Sequence, residues 1–327
     1  MKNITSNYKT IPEFVLKDED NKDFNSKSLL GKYTVVYFYP KANTPGCTIE
    51  GLDFTHYIDE FNGNVIGISP DTCKVIAEFK SKKGLKVKLL SDPDKIVAEK
   101  FGAVKNGKLI RSTYIIDPWG RIRMEWNRVN VKDHAKEVLS KYKEIISNDH
   151  KISDNIQIRR AFRGIRSVNV SDEMLEKLVQ AAHLAPSCSN KQPWRFTVVR
   201  TKENLEKLHE ALSGGNYWMK HAPTLIIVHT KNEYACQLSD DRNYALFDTG
   251  LAVGMLLVQA TQMGLIAHPV AGFEPEKVKQ LFGIDGIVIT IIAVGYWGNF
   301  NILNEKHYLT EESERQRIPL ENVVKYI

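Results

Sequence analysis

A layered α/β fold over the first 146 residues, followed by a second domain of different pattern, is what this sequence predicts. Three observations carry the prediction. Short apolar runs alternate with helical periodicities in the first half, the signature of strands and helices packed in layers. A polar stretch, Ser147-Asn148-Asp149-His150-Lys151, has no hydrophobic period and reads as a linker. The 327 residues suit two compact domains better than one. The expected division is 1–146, a linker at 147–155, and 156–327.

In chain order, Thr34 to Tyr39 is an apolar and aromatic strand, followed by a helix over Thr48 to Phe61. Asn64 to Ser69 and Lys86 to Leu90 read as strands flanking a helix at Lys74 to Lys82. Ser112 to Ile116 is a strand ending at the turn Asp117-Pro118-Trp119-Gly120, with a short strand from Ile122 to Trp126 after it. A helix over Asp133 to Ile146 completes the first half. Beyond the linker, Ser171 is placed to cap a helix that runs to Ala185, because its hydroxyl can accept from early backbone N–H groups. Phe196 to Arg200 and Thr224 to Thr230 read as strands, Tyr244 to Met263 as a buried helix, and Ile287 to Gly295 as a continuous apolar strand.

Composition excludes several classes. Hydrophobic residues make up 43% and charged residues 26%, enough apolar material for two cores. The 45 basic and 39 acidic side chains leave a diffuse +6, which argues against a nucleic-acid or membrane-surface protein. The first eight residues have no apolar stretch suited to a signal peptide, and the apolar run from Gly250 to Val258 is too short to span a bilayer, so the expected location is the cytoplasm. Nine histidines and four cysteines lie scattered with no CxxC, so no metal site is expected. In a reducing compartment Cys47, Cys73, Cys188 and Cys236 do not imply a disulfide framework. Cys188, Cys236 and His268 read first as packing residues.

Cys47 is the most informative of the four. It follows the first strand in Pro40-Lys41-Ala42-Asn43-Thr44-Pro45-Gly46-Cys47. A cysteine that opens a helix has unpaired N–H groups around its sulfur, which favour the reactive thiolate. Thr44 can supply a hydroxyl, Pro40 and Pro45 can restrain the loop and shield the sulfur, and Arg111 can add positive charge. The Pro-x-x-x-Thr-x-x-Cys pattern of Pro40, Thr44 and Cys47, with Arg111 downstream, resembles the peroxiredoxins of the bacterioferritin-comigratory-protein branch. The resemblance covers about residues 8 to 146. It implies a thioredoxin-like fold in which Cys47 attacks a hydroperoxide and becomes a sulfenic acid, with Thr44 and Arg111 orienting the peroxide. Many members of that branch carry a resolving cysteine five residues on, where this chain has Leu52. Cys73 is then either the alternative resolving residue or a small packing residue. The preferred reading has one cysteine, with Cys47 reduced by an external thiol of the glutaredoxin or thioredoxin type.

The second half carries Arg159-Arg160-Ala161-Phe162-Arg163, a cluster suited to gripping a phosphate, and the constrained polar loop Ala185-Pro186-Ser187-Cys188-Ser189-Asn190-Lys191-Gln192-Pro193-Trp194. With Pro269-Val270-Ala271-Gly272 and the C-terminal Arg315-Gln316-Arg317, these resemble the FMN-dependent nitroreductase family over about residues 156 to 327. The resemblance implies an α+β fold and a homodimer with FMN between subunits. NADH or NADPH is then the electron donor. The implied cofactor contacts are Arg159, Arg160, Arg163, Pro186, Ser187, Cys188, Asn190, Gln192, Asn216, Pro269, Val270, Ala271, Gly272, Arg315 and Arg317. Ala161 stands where the family has serine, and Ala271 where it often has glutamate. The arm from about Asn301 is expected to extend or swap between subunits.

The two halves together resemble natural peroxiredoxin–nitroreductase hybrids of the Thermotoga kind. The implied function is a bifunctional redox enzyme: thiol-dependent hydroperoxide reduction at Cys47 and NAD(P)H-dependent FMN chemistry in the second domain. The competing reading is a peroxide-sensing flavoprotein whose oxidation at Cys47 changes partner binding. Direct electron flow from FMN to Cys47 is attractive in a fusion, but such flow ordinarily passes through a dithiol, and no CxxC is present.

Overall fold

The computed structural model describes residues 9–240 and 242–327. The first eight residues, read above as lacking a signal peptide, lie outside the described residues. The chain divides into two compact units, Met1–Lys151 and Ile152–Ile327.

The first unit contains β1 (Val15–Asp18), β2 (Asp23–Asn25), β3 (Thr34–Phe38), α1 (Pro45–His56), β4 (Val65–Ser69), α2 (Cys73–Lys83) and β5 (Lys88–Ser91). After these come α3 (Ile96–Phe101), the small hairpin β6 (Val104–Lys105) and β7 (Lys108–Leu109), β8 (Ser112–Ile116), β9 (Ile122–Asn127) and α4 (His134–Asp149). Seven strands form one sheet in the order β2-β1-β5-β4-β3-β8-β9. The β3–β4 and β4–β5 pairs are parallel and the others antiparallel. The interior strand β3 is buried along its whole length, so its side chains sort by alternation. Val35, Tyr37 and then Tyr39 face a core shared with Phe54 of α1, Phe79 of α2 and Val138 of α4. Val36 and Phe38 face the other core, with Val97 and Phe101 of α3. Helices therefore cover both faces, and the loop leaving β3 delivers Cys47 to the α1 side.

Three expectations for this unit need correction. The first helix starts at Pro45 rather than Thr48, because a proline at N1 has no N–H to lose and a preset φ. It stops at His56, and Ile58–Phe61 forms a separate 3-10 turn closed by Asn62 at φ 54. The linker is shorter than drawn: α4 continues through Ser147, Asn148 and Asp149, and α5 begins at Asp154. The reason is tertiary. The Asp149 carboxylate accepts from Arg123 Nη2 (3.0 Å) and from the Tyr33 hydroxyl (2.8 Å), which anchors the polar last turn. The strands β1 and β2 are only four and three residues long, too short for a clear period, and were not predicted.

The second unit contains α5 (Asp154–Ile158), β10 (Ile165–Arg166), α6 (Asp172–His183), β11 (Arg195–Val199), α7 (Lys202–His209) and β12 (Thr224–Thr230). It continues with α8 (Tyr244–Gln262), β13 (Ile266–Val270), α9 (Pro275–Phe282), β14 (Ile287–Trp297) and α10 (Glu305–Glu312). Its sheet is antiparallel, ordered β10-β14-β12-β11, with β13 also on β14. Along β12, Leu225 and Ile227 pack with α7 and α9 through Leu208 and Val278. Ile226 and Val228 pack with α6 and α8 through Leu178, Ala252 and Leu256. Ser171 caps α6 by accepting from the Met174 N–H at 3.3 Å. The helix ends at His183 instead of Ala185, where Leu184 and Pro186 begin the candidate loop.

The expected buried helix, α8, is buried on one face only. Ala245, Asp248, Ala252, Leu256 and Ala260 face the core. On the other side Leu246, Phe247 and Met255 are exposed. Length and composition alone would let α8 cross a membrane. Its small buried residues packed on the sheet are those of a core helix.

Candidate active sites in the two domains

Cys47 is the third residue of α1, two positions past the residue that opens the helix. It is a free thiol and 1% exposed. Arg111, the residue before β8, points at it: Nη2 lies 3.1 Å from Sγ. The other limb of the guanidinium pairs with the carboxylate of Glu50 through Nη1 and Oε2. Cys47 and Glu50 are three residues apart on one helix, so they share a face, and a single planar fork spans both.

Glu50 is 1% exposed, and its Oε1 has no hydrogen-bond partner among the described residues. Burial pushes its carboxyl up to about 7, against the pull of the Arg111 charge. The Tyr37 hydroxyl is also buried without a partner, and burial lifts its phenol well above the ordinary range. Such unsatisfied groups are uncommon in a core and mark a site held at some cost in stability. Tyr37 has space only because residue 67 is glycine; a Cβ there would meet the Tyr37 ring carbon Cζ at 2.6 Å.

The loop before the cysteine is set by a residue the sequence reading missed. Asp71 accepts from the Ala42 N–H at 2.7 Å and from the Ser69 hydroxyl at 3.0 Å. Thr44 is the N-cap of α1, and its hydroxyl donates to the Lys41 carbonyl at 3.0 Å. Pro40 and Pro45 are exposed, so the expected shielding of the sulfur by prolines is corrected. Tyr37, Tyr39, Phe54 and Phe79 form the cluster that encloses Cys47. Cys73 opens α2 as a half-buried free thiol and is not bonded to Cys47. Glu50 was also missed; its spacing from Cys47 was the available signal. Asp71 had none, since its partner is 29 residues away.

In the second unit the implied cofactor residues fall into separate places. Arg159, Arg160, Arg163, Arg315 and Arg317 line one cavity of about 370 Å³. None of the five forms an ion pair among the described residues. Arg160 donates to the carbonyls of Ser313 (2.6 Å) and Thr310 (3.0 Å), and Arg315 donates to the Arg159 carbonyl. Burial, then the charges of Arg315 and Arg317, hold Arg159 below the usual arginine range. Glu311 and Glu314 line the same cavity, so five arginines face two carboxylates; the net positive charge fits the phosphate of a nucleotide such as FMN. Ala161 lines the same cavity and offers no hydroxyl.

The Ser187–Gln192 loop lies apart from that cavity. Gln192 lines a second cavity of about 480 Å³ with Trp194 and His183. Pro186, Ser187 and Cys188 line a third with Tyr244 and Phe247. Ser189, Asn190 and Gln192 all have φ near +50°. Pro269 and Val270 belong to β13, the Val270 carbonyl accepts from the Thr290 hydroxyl (2.9 Å), and Ala271 is exposed. Asn216 donates to the Gly272 carbonyl at 2.7 Å, so part of its amide is already committed. His268 is a satisfied core residue, its Nδ1 3.0 Å from the Phe162 carbonyl, and burial lowers its pKa to about 4.

One cysteine reading is overturned. Cys188 and Cys236 are joined in a disulfide across 48 residues. No CxxC spacing announces it, because the chain crosses β11 and β12 before returning to the same place.

Comparison with known proteins finds one family match in each half of the chain. The AhpC/TSA family matches residues 8–125 and the nitroreductase family residues 156–296. Peroxiredoxin Bcp of Bacillus subtilis is 38% identical over 145 residues, 41% of this chain and 92% of that protein. The chain belongs to the peroxiredoxin family. Its peroxiredoxin domain is of the Bcp type, with a thioredoxin fold, and it is fused to a domain of nitroreductase-like fold. The bacterioferritin comigratory protein of Xanthomonas campestris is similar to the peroxiredoxin domain at 33% identity, covering 40% of this chain and 91% of that one, TM-score 0.39. A nitroreductase family protein of Clostridium difficile is similar at 26% identity, covering 54% and 98%, TM-score 0.46.

Proposed function

We propose that the chain is a bifunctional redox enzyme, a peroxiredoxin–nitroreductase hybrid of the Thermotoga kind, working as two modules joined near Lys151. In the first, Cys47 reduces hydrogen peroxide and organic hydroperoxides with electrons from a glutaredoxin- or thioredoxin-type thiol. The observation that carries this is Arg111 Nη2 at 3.1 Å from the buried Cys47 Sγ. A guanidinium there stabilises the thiolate and the oxygen charge that develops as the O–O bond breaks. The thiolate attacks one peroxide oxygen. An S–O bond forms, and the other oxygen leaves as alkoxide or hydroxide, takes a proton and departs as alcohol or water. Thr44 donates to Lys41, so its oxygen can accept from the hydroperoxide O–H and orient it. Cys47 is left as a sulfenic acid, which the external thiol reduces; Cys73 is the alternative resolving residue.

The second module is an NADH- or NADPH-dependent oxidoreductase with FMN as cofactor. When bound, FMN supplies hydride acceptance from the nicotinamide and two-electron reduction of an acceptor. Arg159, Arg163, Arg315 and Arg317 hold the phosphate. The loop residues Ser187, Asn190 and Gln192 and the Pro269–Gly272 backbone position the ring. Because the arginines and the loop line different cavities of one chain, we assign the complete site to a homodimer. The exposed Ile318 and Leu320 of the C-terminal arm supply apolar surface for it. We place the enzyme in the cytoplasm.

Steady-state hydrogen peroxide reduction with NADH, glutathione–glutaredoxin or thioredoxin, each offered separately, tests the first activity. Turnover with a thiol donor is expected, falling about a thousandfold or more in Cys47→Ser because the nucleophile is lost. Retained turnover in that variant sinks the assignment. Only single-turnover consumption with every donor favours the peroxide-sensing reading. Loss of turnover in Cys73→Ser assigns resolution to Cys73.

A further inference from the structure

The Cys188–Cys236 bond separates two cavities of opposite character. On the Cys188 side is a mainly apolar space of about 270 Å³ walled by Pro186, Tyr244, Phe247 and Leu251, with Ser187 and the Asp248 carboxylate, which accepts from the Cys188 N–H, also in its lining. On the Cys236 side is one of about 150 Å³ that also holds Arg242, Asn243 and the first residues of α8. Both cysteines are only half-buried. A disulfide that merely braces a core is enclosed; this one joins two half-buried residues that each line a cavity, and exposed bonds are the labile ones.

The bond also fixes an unusual loop. Ser189, Asn190 and Gln192 are three non-glycine residues in the left-handed region, at φ 48, 55 and 51. Such a shape persists only where surroundings over-determine it. Here the ties are the disulfide, the Cys188 N–H donating to the buried Asp248 carboxylate (3.2 Å), and the Gln192 N–H donating to Ser187 Oγ (2.9 Å).

We propose that Cys188–Cys236 is a thiol–disulfide exchange site for dithiol reductants, and that its redox state sets whether the Ser187–Gln192 loop is held ready for the cofactor. The second clause rests on the flavin reading given above. A thiolate of the dithiol attacks Cys188 Sγ from the apolar cavity. The Cys188–Cys236 bond breaks, and its electron pair leaves on Cys236. That thiolate is stabilised in the cavity shared with Arg242, which is itself paired with Asp240, and with the first-turn N–H groups of the 19-residue α8. The reductant's second thiol then attacks its own sulfur in the mixed disulfide and releases Cys188 as a thiolate. Two electrons and two protons pass to the protein, giving two thiols and an oxidised dithiol. The loop then keeps Asp248 and Ser187 but loses its covalent tie.

The test uses the full chain with Cys47→Ser and Cys73→Ser, so that only this pair is counted. Native protein is equilibrated in dithiothreitol buffers of set ratio and alkylated, its mass is measured, and FMN affinity is titrated by fluorescence in both states. Both cysteines should alkylate while the thermal unfolding transition persists. FMN affinity should fall roughly tenfold, because the freed loop must be ordered on binding, and return on reoxidation. Cys236→Ser should trap a mixed disulfide with 5,5′-dithiobis(2-nitrobenzoate) on Cys188. A pair that resists dithiothreitol until denaturant unfolds the protein overturns the exchange site. Native reduction with equal FMN affinity overturns the loop control. If neither state binds FMN, the flavin reading and the loop control fall together, and the alkylation result still decides the exchange.

Discussion

The two candidate sites are built in opposite ways. Around Cys47, charge is matched inside one unit: one guanidinium serves a sulfur and a buried carboxylate, and the aromatic cluster excludes water. Around Arg159, charge is only partly matched: five arginines share a cavity with Glu311 and Glu314 but form no ion pair among the described residues, and the polar loop meant to complete the site lies elsewhere. The groups of the first site meet within one unit. The second is a set of parts that needs a ligand, and by the reading above a second chain, to come together. What separates them is where the counter-charge comes from.

The comparison can be sharpened at three points. The largest effect falls on stability and its pH dependence at Glu50. Its carboxyl is about 7 in the folded protein and 4.5 as an ordinary side chain, so between those values the folded state holds the extra proton. Stability from this group is full below about 4.5 and declines as pH rises through 7, by about 3 kcal/mol in all. Glu50→Gln should flatten that decline in denaturant unfolding curves taken from pH 4.5 to 7.5. An unchanged slope would mean that the buried carboxylate is fully compensated by Arg111. Next is Arg111→Met, which should lower kcat/KM for hydrogen peroxide by about a hundredfold, the usual loss when one charge-stabilising donor is removed. A change confined to KM would make Arg111 a binding group only. The smallest effect concerns the arginine cluster. Arg159→Ala should weaken FMN about tenfold by calorimetry, since one charge-assisted contact among several is removed. If affinity held or the thermal midpoint rose with FMN affinity intact, the cluster would be a repulsive surface and not a phosphate site.

The legibility of the two sites differs for the same reason. Thr44, Cys47 and Arg111 stand in a loop, a helix start and a strand entrance that each have local signals, and the strand pattern of Thr34–Phe38 was readable from burial on both faces. Glu50 was legible in principle, three residues from Cys47. Asp71 was not, because nothing local says that its carboxylate reaches the Ala42 N–H. The strands Val15–Asp18 and Asp23–Asn25 are too short for a clear period and form through pairing with each other and with β5. The last turn of α4 is polar in sequence and helical because Arg123 and Tyr33 hold Asp149.

By itself the sequence determined the two-part organisation, the α/β layering and the chemical types at each site, because periodicity and residue type are local properties. Only the tertiary structure decided which groups meet. It brought Arg111 across 64 residues to Cys47 and enclosed the sulfur with aromatics instead of prolines. It exposed one apolar face of α8. It joined Cys188 to Cys236, where spacing had suggested two inert thiols. Contact between distant residues depends on how sheets and helices stack, and no stretch of sequence carries that alone.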